Sequence, residues 1–320
     1  MDKKYIIGID LGGTKISGAI ADMDGSILNK ITIPTLAGKG ALTVVGRIAD
    51  TIIKLMESRS ASYGEVSGIG IGSPGFVNSK KGYIAFASNL SGFNNLPIVD
   101  MIEERLKIKT YLENDAKAAA LGEMWFGSGG DCSNFIYLTV STGIGGAIVY
   151  NGDIFTGSSN MAGEIGHTIL NPEGPKCGCG HNGCLEAYAS GTAIARLANE
   201  RLKECEDSLL KEYDNITSKE VFDAASRGDK LASDVVDYSL HYLGIGIANL
   251  VTLINPERII IGGGVSMAGQ IIIDKVWEEV KANSFKPMYE NLSIVPAKLK
   301  ADAGVIGALG VVLTRSKGKR

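Results

Sequence analysis

Near the start of the chain, the stretch Asp10-Leu11-Gly12-Gly13-Thr14-Lys15 decides the fold, because it is a glycine turn between two apolar runs. Residues 5–9 before it and residues 16–21 after it are rich in isoleucine and predict buried strands of a β-meander. The same order returns at residues 134–150, where two apolar strands enclose Ser141-Thr142-Gly143-Ile144-Gly145-Gly146. This repeat predicts two related α/β lobes, each opening with a hairpin.

Other segments predict further helices, strands and loops of the two lobes. Residues 42–58 have helical periodicity, and the apolar run at residues 66–72 is typical of a strand inside a central sheet. A later strand at residues 258–261 ends in the turn Gly262-Gly263-Gly264, with a helix after it. Residues 203–229 are charged and weakly patterned, which predicts surface helices and loop.

Composition excludes several classes of protein. With 320 residues, 45% of them hydrophobic, the chain can bury a large core, and its length favours two domains. The net charge is −3, and the one basic segment, residues 315–320, is predicted to be a frayed, solvated end, so no nucleic-acid partner is expected. The apolar run at residues 242–254 is too short and too interrupted to span a bilayer, which predicts a buried helix and no membrane partner.

Cysteine usage and the N-terminus indicate the compartment. Three of the five cysteines lie within eight residues, a pattern that favours metal binding or free thiols in a reducing compartment over disulfides. The first residues lead straight into a strand, without the apolar core of a signal peptide. We therefore expect a cytoplasmic protein.

Both glycine turns are candidates for phosphate binding. Such turns expose successive backbone N–H groups to phosphate oxygens, and the threonine hydroxyls add further donors. An aspartate at a strand end is placed to hold Mg²⁺, directly or through water. The alternative is a pair of ordinary hairpin turns, but their shared position at the start of each lobe favours phosphate. The candidate residues are Asp10, Gly12, Gly13, Thr14, Lys15, Thr142 and Gly143.

A third turn, formed by Gly262, Gly263 and Gly264, suits close approach of the backbone to an adenosine. Tight packing of a strand on a helix explains it equally well. Residues 68–72 have glycine at a spacing of two, but they lack the full dinucleotide-binding fingerprint.

On the acceptor side, Asp115 has two interpretations, because it stands between a short strand and a helix. Spacing alone favours a helix N-cap, whereas the functional interpretation is a general base that accepts a hydroxyl proton during phosphoryl transfer. Further along, Glu164 and His167 place a carboxylate and an imidazole three residues apart.

The most specific feature is the loop Cys177-Gly178-Cys179-Gly180-His181-Asn182-Gly183-Cys184. Three cysteines among small residues can converge on one tetrahedral ion, and a closed zinc site needs a fourth nitrogen or sulfur ligand. Either His167 or His181 supplies it; we favour His167, because the ring of His181 lies inside the short loop. The alternative is three reduced cysteines without metal. Cys132 and Cys205 lie outside the loop and are predicted to be reduced thiols.

Together these motifs resemble the ROK family of repressors and sugar kinases, whose fold is the two-lobed actin/hexokinase-like α/β ATPase with a cleft between its lobes. The cysteine loop is the specific part of the likeness, and the glycine turns are not. The matching positions run in family order: Asp10 to Thr14, Ser73-Pro74-Gly75, Asn89-Leu90, Asn114-Asp115, Thr142 to Gly146, Ala162 to His167, Cys177 to Glu186, Asn255-Pro256, Gly262 to Gly264 and Asp302-Ala303-Gly304.

The resemblance implies a glucokinase-type sugar kinase that uses ATP, Mg²⁺ and a structural Zn²⁺, with Asp115 as the catalytic base. It also implies a homodimer. The implied sugar-binding residues are Asn89, Asn114, Asp115, Glu164, His167 and Glu186, and the implied zinc ligands are His167, Cys177, Cys179 and Cys184. The expected domains are a smaller lobe of residues 1–117 with 303–320 and a larger lobe of residues 118–302 that carries the zinc site.

Three positions depart from the family pattern: Asn160 and Ala147 replace glycines, and Phe93 replaces a tryptophan. Asparagine tolerates a left-handed backbone, so the loop around Asn160 is expected to keep its shape.

Glucose is the first choice of acceptor sugar. An N-acylhexosamine (N-acetylmannosamine or N-acetylglucosamine) or fructose is the alternative, and the space around the substituent on sugar C2 decides between them. A non-catalytic sugar sensor is a further alternative. With Asp10 so near the N-terminus, no DNA-binding helix-turn-helix is expected.

Overall fold

The structure, a computed structural model, describes residues 2–87 and 90–317. Within them the chain forms thirteen β-strands and ten α-helices. The strands are β1 (Tyr5–Leu11), β2 (Lys15–Asp22), β3 (Ile27–Pro34), β4 (Val66–Ser73), β5 (Phe76–Asn78), β6 (Tyr83–Phe86), β7 (Asn94–Leu96), β8 (Thr110–Asn114), β9 (Phe135–Val140), β10 (Ile144–Tyr150), β11 (Asp153–Ile154), β12 (Arg258–Gly262) and β13 (Ser293–Pro296). The helices are α1 (Ala41–Glu57), α2 (Ile98–Leu106), α3 (Asp115–Phe126), α4 (Leu185–Ala189), α5 (Gly191–Leu202), α6 (Ser218–Ser226), α7 (Lys230–Ile254), α8 (Gln270–Asn283), α9 (Lys286–Tyr289) and α10 (Ala303–Lys317).

Two five-stranded sheets have the same plan. The first has the order β3-β2-β1-β4-β8 and the second the order β11-β10-β9-β12-β13. In the first, β1 pairs antiparallel with β2 and parallel with β4, and in the second β9 pairs parallel with β12. The predicted repeat of strand, glycine turn and strand is thus confirmed. A third, antiparallel sheet holds β5, β6 and β7.

The chain divides into two compact units. The first comprises Met1–Ser133, Ile148–Ala162 and Lys298–Arg320, and the second comprises Asn134–Ala147 and Gly163–Ala297. These boundaries differ from the predicted ones, because residues 118–133, 148–162 and 298–302 belong to the first unit. The whole of α3 therefore lies in that unit, where it packs so closely on α10 that a Cβ added to Gly122 would lie 2.9 Å from the Cα of Gly307.

In the first unit the sheet is covered on both faces. On one face, Ile7, Ile9 and Leu11 of β1 join the buried sides of α1 and α2 in one core cluster. On the other face, Ile6 packs with Leu309 and Val312 of α10, in a separate cluster. The alternation follows from the period of two along a strand.

Glycine spacing in β4 has a packing explanation. Ile69 and Ile71 are buried in the α1 core, while Gly68 and Gly70, which alternate with them, face α10. A Cβ on Gly70 would lie only 2.0 Å from the carbonyl oxygen of Ala308. The spacing of two therefore reflects a helix lying directly on the strand backbone.

The predicted helix at residues 42–58 is confirmed as α1, and the apolar run at residues 242–254 is the second half of α7. No helix within residues 2–87 and 90–317 is long and apolar enough to cross a membrane.

The prediction of a frayed tail is wrong for Arg315, which lies on α10 and pairs with the buried carboxylate of Glu113 at 3.3 Å. Residues 318–320 lie outside the described part of the chain.

Substituting Gly70 by alanine tests the contact between β4 and α10. The added methyl group collides with backbone rather than with a flexible side chain, so we expect Gly70→Ala to destabilise the fold by at least about 2 kcal/mol. Urea unfolding followed by circular dichroism measures this. The matched control is Gly38→Ala, where an added Cβ meets nothing within 4 Å. Equal midpoints for the two variants would contradict the packing described above.

Candidate functional site

Several of the predicted residues stand at one edge of the first sheet. Strands β1, β4 and β8 are parallel neighbours, with Asp10 in register with Gly72 and Ser73 in register with Asn114. Their carboxyl ends therefore meet at the same edge. In open α/β sheets this is where ligands bind.

Asp10 is half-buried at the end of β1, beside the first turn of α10. Burial raises the pKa of its carboxyl group, and the positive charges of Lys15 and Lys30 oppose that rise. Lys30 itself forms an ion pair with Asp302. A partly desolvated carboxylate of this kind is suited to a cation, and Mg²⁺ in nucleotide sites uses one or two such groups.

The first glycine turn is closed by its own backbone. The N–H of Gly12 donates to the carbonyl of Lys15 at 2.9 Å, and the hydroxyl of Thr35 donates to the carbonyl of Gly12 at 2.7 Å. Thr14 and Lys15 remain exposed at the tip. The turn is therefore rigid, with its polar groups at the surface of the unit.

The structure decides which residue caps α3. Asn114 is the N-cap, and its side-chain oxygen accepts from the N–H groups of Ala116 and Lys117 at 3.0 and 3.3 Å. Its amide nitrogen donates to the carbonyl of Gly75 at 3.2 Å, which joins two of the predicted motifs. Asp115 is the first helical residue and is exposed. The N-cap interpretation of Asp115 is therefore wrong.

Sequence reasoning missed the support behind this cap. Glu113 is buried, with 1% of its side chain exposed, and its carboxylate accepts from the hydroxyl of Ser79 at 3.1 Å and from Arg315. Arg315 also contacts Asp153 at 3.5 Å. No signal in the sequence links these distant residues, because only the fold brings them to the end of β8.

In the second unit, two glycine turns lie side by side. Ser141, Thr142 and Gly264 line one cavity of about 360 Å³. The carbonyl of Thr142 accepts from the hydroxyl of Thr192 at 2.8 Å, which ties the second turn to the start of α5. The turn of residues 262–264 follows β12, as predicted.

A larger cavity of about 870 Å³ adjoins the first and shares Gly264 and Val265 with it. Its walls carry apolar side chains from α6, α7 and the segment after Gly264, among them Phe222, Val236 and Met267. This size and lining are typical of a site for a small organic ligand with a flat apolar part.

Glu186 links the second turn to the cysteine loop. One oxygen of its carboxylate accepts from the N–H of Ile144 at 2.8 Å, and the other lies 3.6 Å from the sulfur of Cys177. Glu164 is exposed and precedes the short helical turn Ile165–His167, without a capping hydrogen bond from its side chain among the described residues. The second unit therefore brings His167 and Glu186 to the cysteine loop, and Glu164 lies three residues before His167, while Asn89 lies outside the described residues.

The four predicted metal ligands converge. The ligand atoms of His167, Cys177, Cys179 and Cys184 all lie within 4.8 Å of one another. The sulfur of Cys177 is 3.8 Å from Nδ1 of His167, and the sulfurs of Cys179 and Cys184 are 3.6 Å apart. A tetrahedron with zinc–sulfur bonds of about 2.3 Å has edges of roughly 3.8 Å, so these residues fit a zinc ion.

The thiols in this cluster differ in acidity. Hydrogen bonds from the backbone and ring of His181 lower the pKa of Cys179 to about 6. Burial raises the pKa of Cys184 to about 12 and also raises that of Cys177. Buried neighbouring thiols ionise readily only beside a cation, so metal binding would release their protons.

Backbone contacts hold the loop in this shape. The N–H of Cys177 donates to the carbonyl of His181 at 2.8 Å, and the N–H of Leu185 donates to the carbonyl of Thr168 at 2.9 Å. Gly183 has a φ of +73° and lies so close to Asn171 that a side chain could not be accommodated. These bonds bring the segment after His167 against the cysteines.

Comparison with known proteins identifies the family. A model of the ROK family matches residues 6–315. The chain belongs to the ROK family. The resemblance found in the motifs is thus confirmed, and so is the actin/hexokinase-like α/β fold class.

Relatives within the ROK family include enzymes and regulators. A glucokinase from Halalkalibacterium halodurans is 42% identical, over 96% of this chain and 94% of that protein. A xylose repressor from Caldicellulosiruptor bescii is 33% identical, over 98% of this chain and 79% of the repressor. Among solved structures, a ROK family glucokinase from Streptomyces griseus, in complex with glucose and AMPPNP, gives a TM-score of 0.79 at 33% identity and covers 95% of this chain and 98% of that one.

Metal analysis tests the four-ligand cluster. We expect about one zinc ion per chain in the purified protein and a large loss in Cys184→Ser, because one of four ligands is removed. Elemental analysis by mass spectrometry after extensive dialysis measures this. The control is Cys205→Ser, since Cys205 lies outside the cluster and should leave the zinc content unchanged. Zinc-free wild-type protein that takes up none on addition would contradict the assignment.

Proposed function

We propose that this chain phosphorylates a hexose with ATP, glucose first, giving glucose 6-phosphate. Support comes from the 42% identity to a glucokinase and from the likeness to a structure that holds glucose and AMPPNP. The observation that carries the proposal is the placement of Asp115. It stands exposed at the carboxyl edge of the first sheet, while Asn114 takes over the capping of α3.

Asp115 is the general base in this proposal. Phosphoryl transfer needs the sugar hydroxyl to lose its proton as the bond to phosphorus forms, and a positioned carboxylate accepts that proton. A carboxylate in the first turn of a helix is stabilised in its ionised form by the helix dipole. Asn114, tied to Gly75 by a hydrogen bond, would hold a neighbouring hydroxyl.

ATP would use the glycine turns of both units. In the first unit the exposed tip of residues 12–15 would contact phosphate oxygens, and Asp10 would hold Mg²⁺, whose charge offsets that of the phosphates. In the second unit, Thr142 and Gly143 would also contact phosphate. The turn of residues 262–264 and the apolar cavity beyond it would take the adenosine.

A zinc ion would be held by His167, Cys177, Cys179 and Cys184. When bound, it supplies structure rather than chemistry, because four protein ligands leave no open position. The cluster would fix His167, with one ring nitrogen on the metal, so that the other serves as a donor to the sugar. Glu164 and Glu186 would complete the sugar-binding groups of the second unit.

Two alternatives remain. One is a different acceptor sugar, an N-acylhexosamine or fructose. The space that the site leaves around the substituent on sugar C2 would decide between these sugars and glucose. The other is a sugar sensor without kinase activity, as the family includes repressors. A panel of hexoses ranked by kcat/KM in an ADP-release assay separates these possibilities. Absence of turnover with every hexose, with zinc and Mg²⁺ present, would rule out the kinase. The homodimer and the cytoplasmic location stay predictions.

Asp115→Asn tests the base. The amide keeps the shape of the side chain but cannot accept the proton, so we expect kcat to fall by about 10²–10⁴-fold while glucose Kd changes little. Steady-state kinetics and calorimetric glucose titration provide the two measurements. Asp100→Asn is the matched control, because Asp100 also lies in the first turn of a helix, α2. Parallel loss of binding and turnover in Asp115→Asn would instead assign Asp115 a structural role.

Removing the metal should weaken sugar binding more than ATP binding. His167 is the residue of the cluster with a predicted sugar contact, so its release should raise glucose KM by about tenfold, with a smaller change for ATP. Chelator-treated enzyme compared with the same enzyme reloaded with zinc measures both constants. An equal or larger rise in the KM for ATP would show that the cluster serves the nucleotide turn through Glu186 instead.

A further inference from the structure

Asn160 is an unusual residue in the loop that leads from the first unit to Glu164. It is 5% exposed and has a φ of +66°, a backbone conformation that glycine adopts more easily. Its side-chain oxygen is buried and has no hydrogen-bond partner among the described residues. A buried acceptor without a partner costs free energy, since the water it gives up is not replaced.

The orientation of the Asn160 amide is fixed by its neighbour. Its nitrogen donates to the side-chain oxygen of Asn78 at 3.1 Å. That same oxygen accepts from the N–H of Lys81 at 3.0 Å, so Asn78 presents an acceptor. Rotating the Asn160 amide would set two oxygens against each other. Within residues 2–87 and 90–317, its own oxygen therefore stays unpaired.

These contacts join Asn160 to the elements that carry the acceptor residues. Asn78 ends β5, and Ser79 after it bonds to Glu113, just before Asn114. The backbone carbonyl of Asn160 accepts from the ammonium group of Lys117 at 2.8 Å. Lys117 is 4% exposed and lies two residues after Asp115 on α3. Asn160 thus bridges β5 and α3, four residues before Glu164.

Fold stability does not explain this side chain. Glycine would accommodate the positive φ, keep the carbonyl that Lys117 needs, and remove the unpaired oxygen. What glycine would lose is the bond to Asn78. The side chain therefore holds the loop to Asn78, although one of its own polar atoms has no partner among the described residues. A local cost of this kind is expected at functional sites.

We propose that Asn160 is a positioning residue for the hexose: it clamps the loop before Glu164 to β5 and α3 and so sets the affinity for the sugar. This inference rests on the proposed function, since it takes Asn114, Asp115 and Glu164 as sugar-binding residues. The side chain acts through the loop and makes no contact with the reacting atoms.

The test is Asn160→Gly, with glucose as the probe. We expect glucose Kd and KM to rise about tenfold, with kcat and the KM for ATP within about twofold of wild type and the urea midpoint unchanged or higher. The matched control is Asn151→Gly, another asparagine of the first unit with positive φ, in the β10–β11 turn. It should leave glucose Kd unchanged.

A second variant separates positioning from folding. Asn78→Ala removes the partner of the clamp, so it should weaken glucose binding as Asn160→Gly does, and the double variant should be no worse than either single one. Additive losses, an unchanged glucose Kd, or a lowered urea midpoint in Asn160→Gly would overturn the proposal.

Calorimetric Kd values are measured without ATP, so they do not depend on turnover. Wild-type protein that binds glucose without phosphorylating it contradicts the kinase proposal, while the Kd values still decide the role of Asn160. Wild-type protein that binds no hexose overturns both.

Discussion

Helix α10 lies directly on the backbone of β1 and β4, and the geometry of the first unit depends on that contact. With glycine at positions 8 and 70, the helix approaches so closely that an added Cβ would lie 2.7 Å and 2.0 Å, respectively, from backbone carbonyl oxygens of α10. The start of the helix then falls beside Asp10, where a Cβ on Gly304 would lie 2.5 Å from the carboxylate. The burial that raises the pKa of Asp10 is a consequence of this packing. Near its other end the same helix carries Arg315, which pairs with Glu113, the residue before Asn114.

In the second unit, the carboxylate of Glu186 joins segments that are far apart in the sequence. Glu186 contacts both the N–H of Ile144 in the second glycine turn and the thiol of Cys177. The cysteine loop and the glycine turn are therefore one connected structure rather than two separate motifs. A metal ion in the loop would fix Glu186 as well as His167. In the proposed kinase the cluster would therefore order the site without taking part in the reaction.

Local patterns were enough to predict several of the elements and the positions of the motifs. The repeat of strand, glycine turn and strand, the helix α1 and the convergence of His167 with three cysteines all follow from spacing and residue type. Three features could not be predicted, because each depends on contacts between distant segments. Asn114 rather than Asp115 caps α3, the glycines of β4 serve helix packing, and Arg315 joins the fold instead of the solvated tail. The place of α3 in the first unit likewise follows from its packing on α10.

Phosphorus NMR of the protein with glucose, ATP and Mg²⁺ tests the central claim most directly, because it follows the transferred group itself. If Asp115 accepts the proton of a sugar hydroxyl, the γ-phosphate signal of ATP should be replaced by that of a sugar phosphate ester, with ADP formed in equal amount. Appearance of inorganic phosphate alone, or an unchanged ATP spectrum with glucose and the other candidate hexoses, would contradict the account.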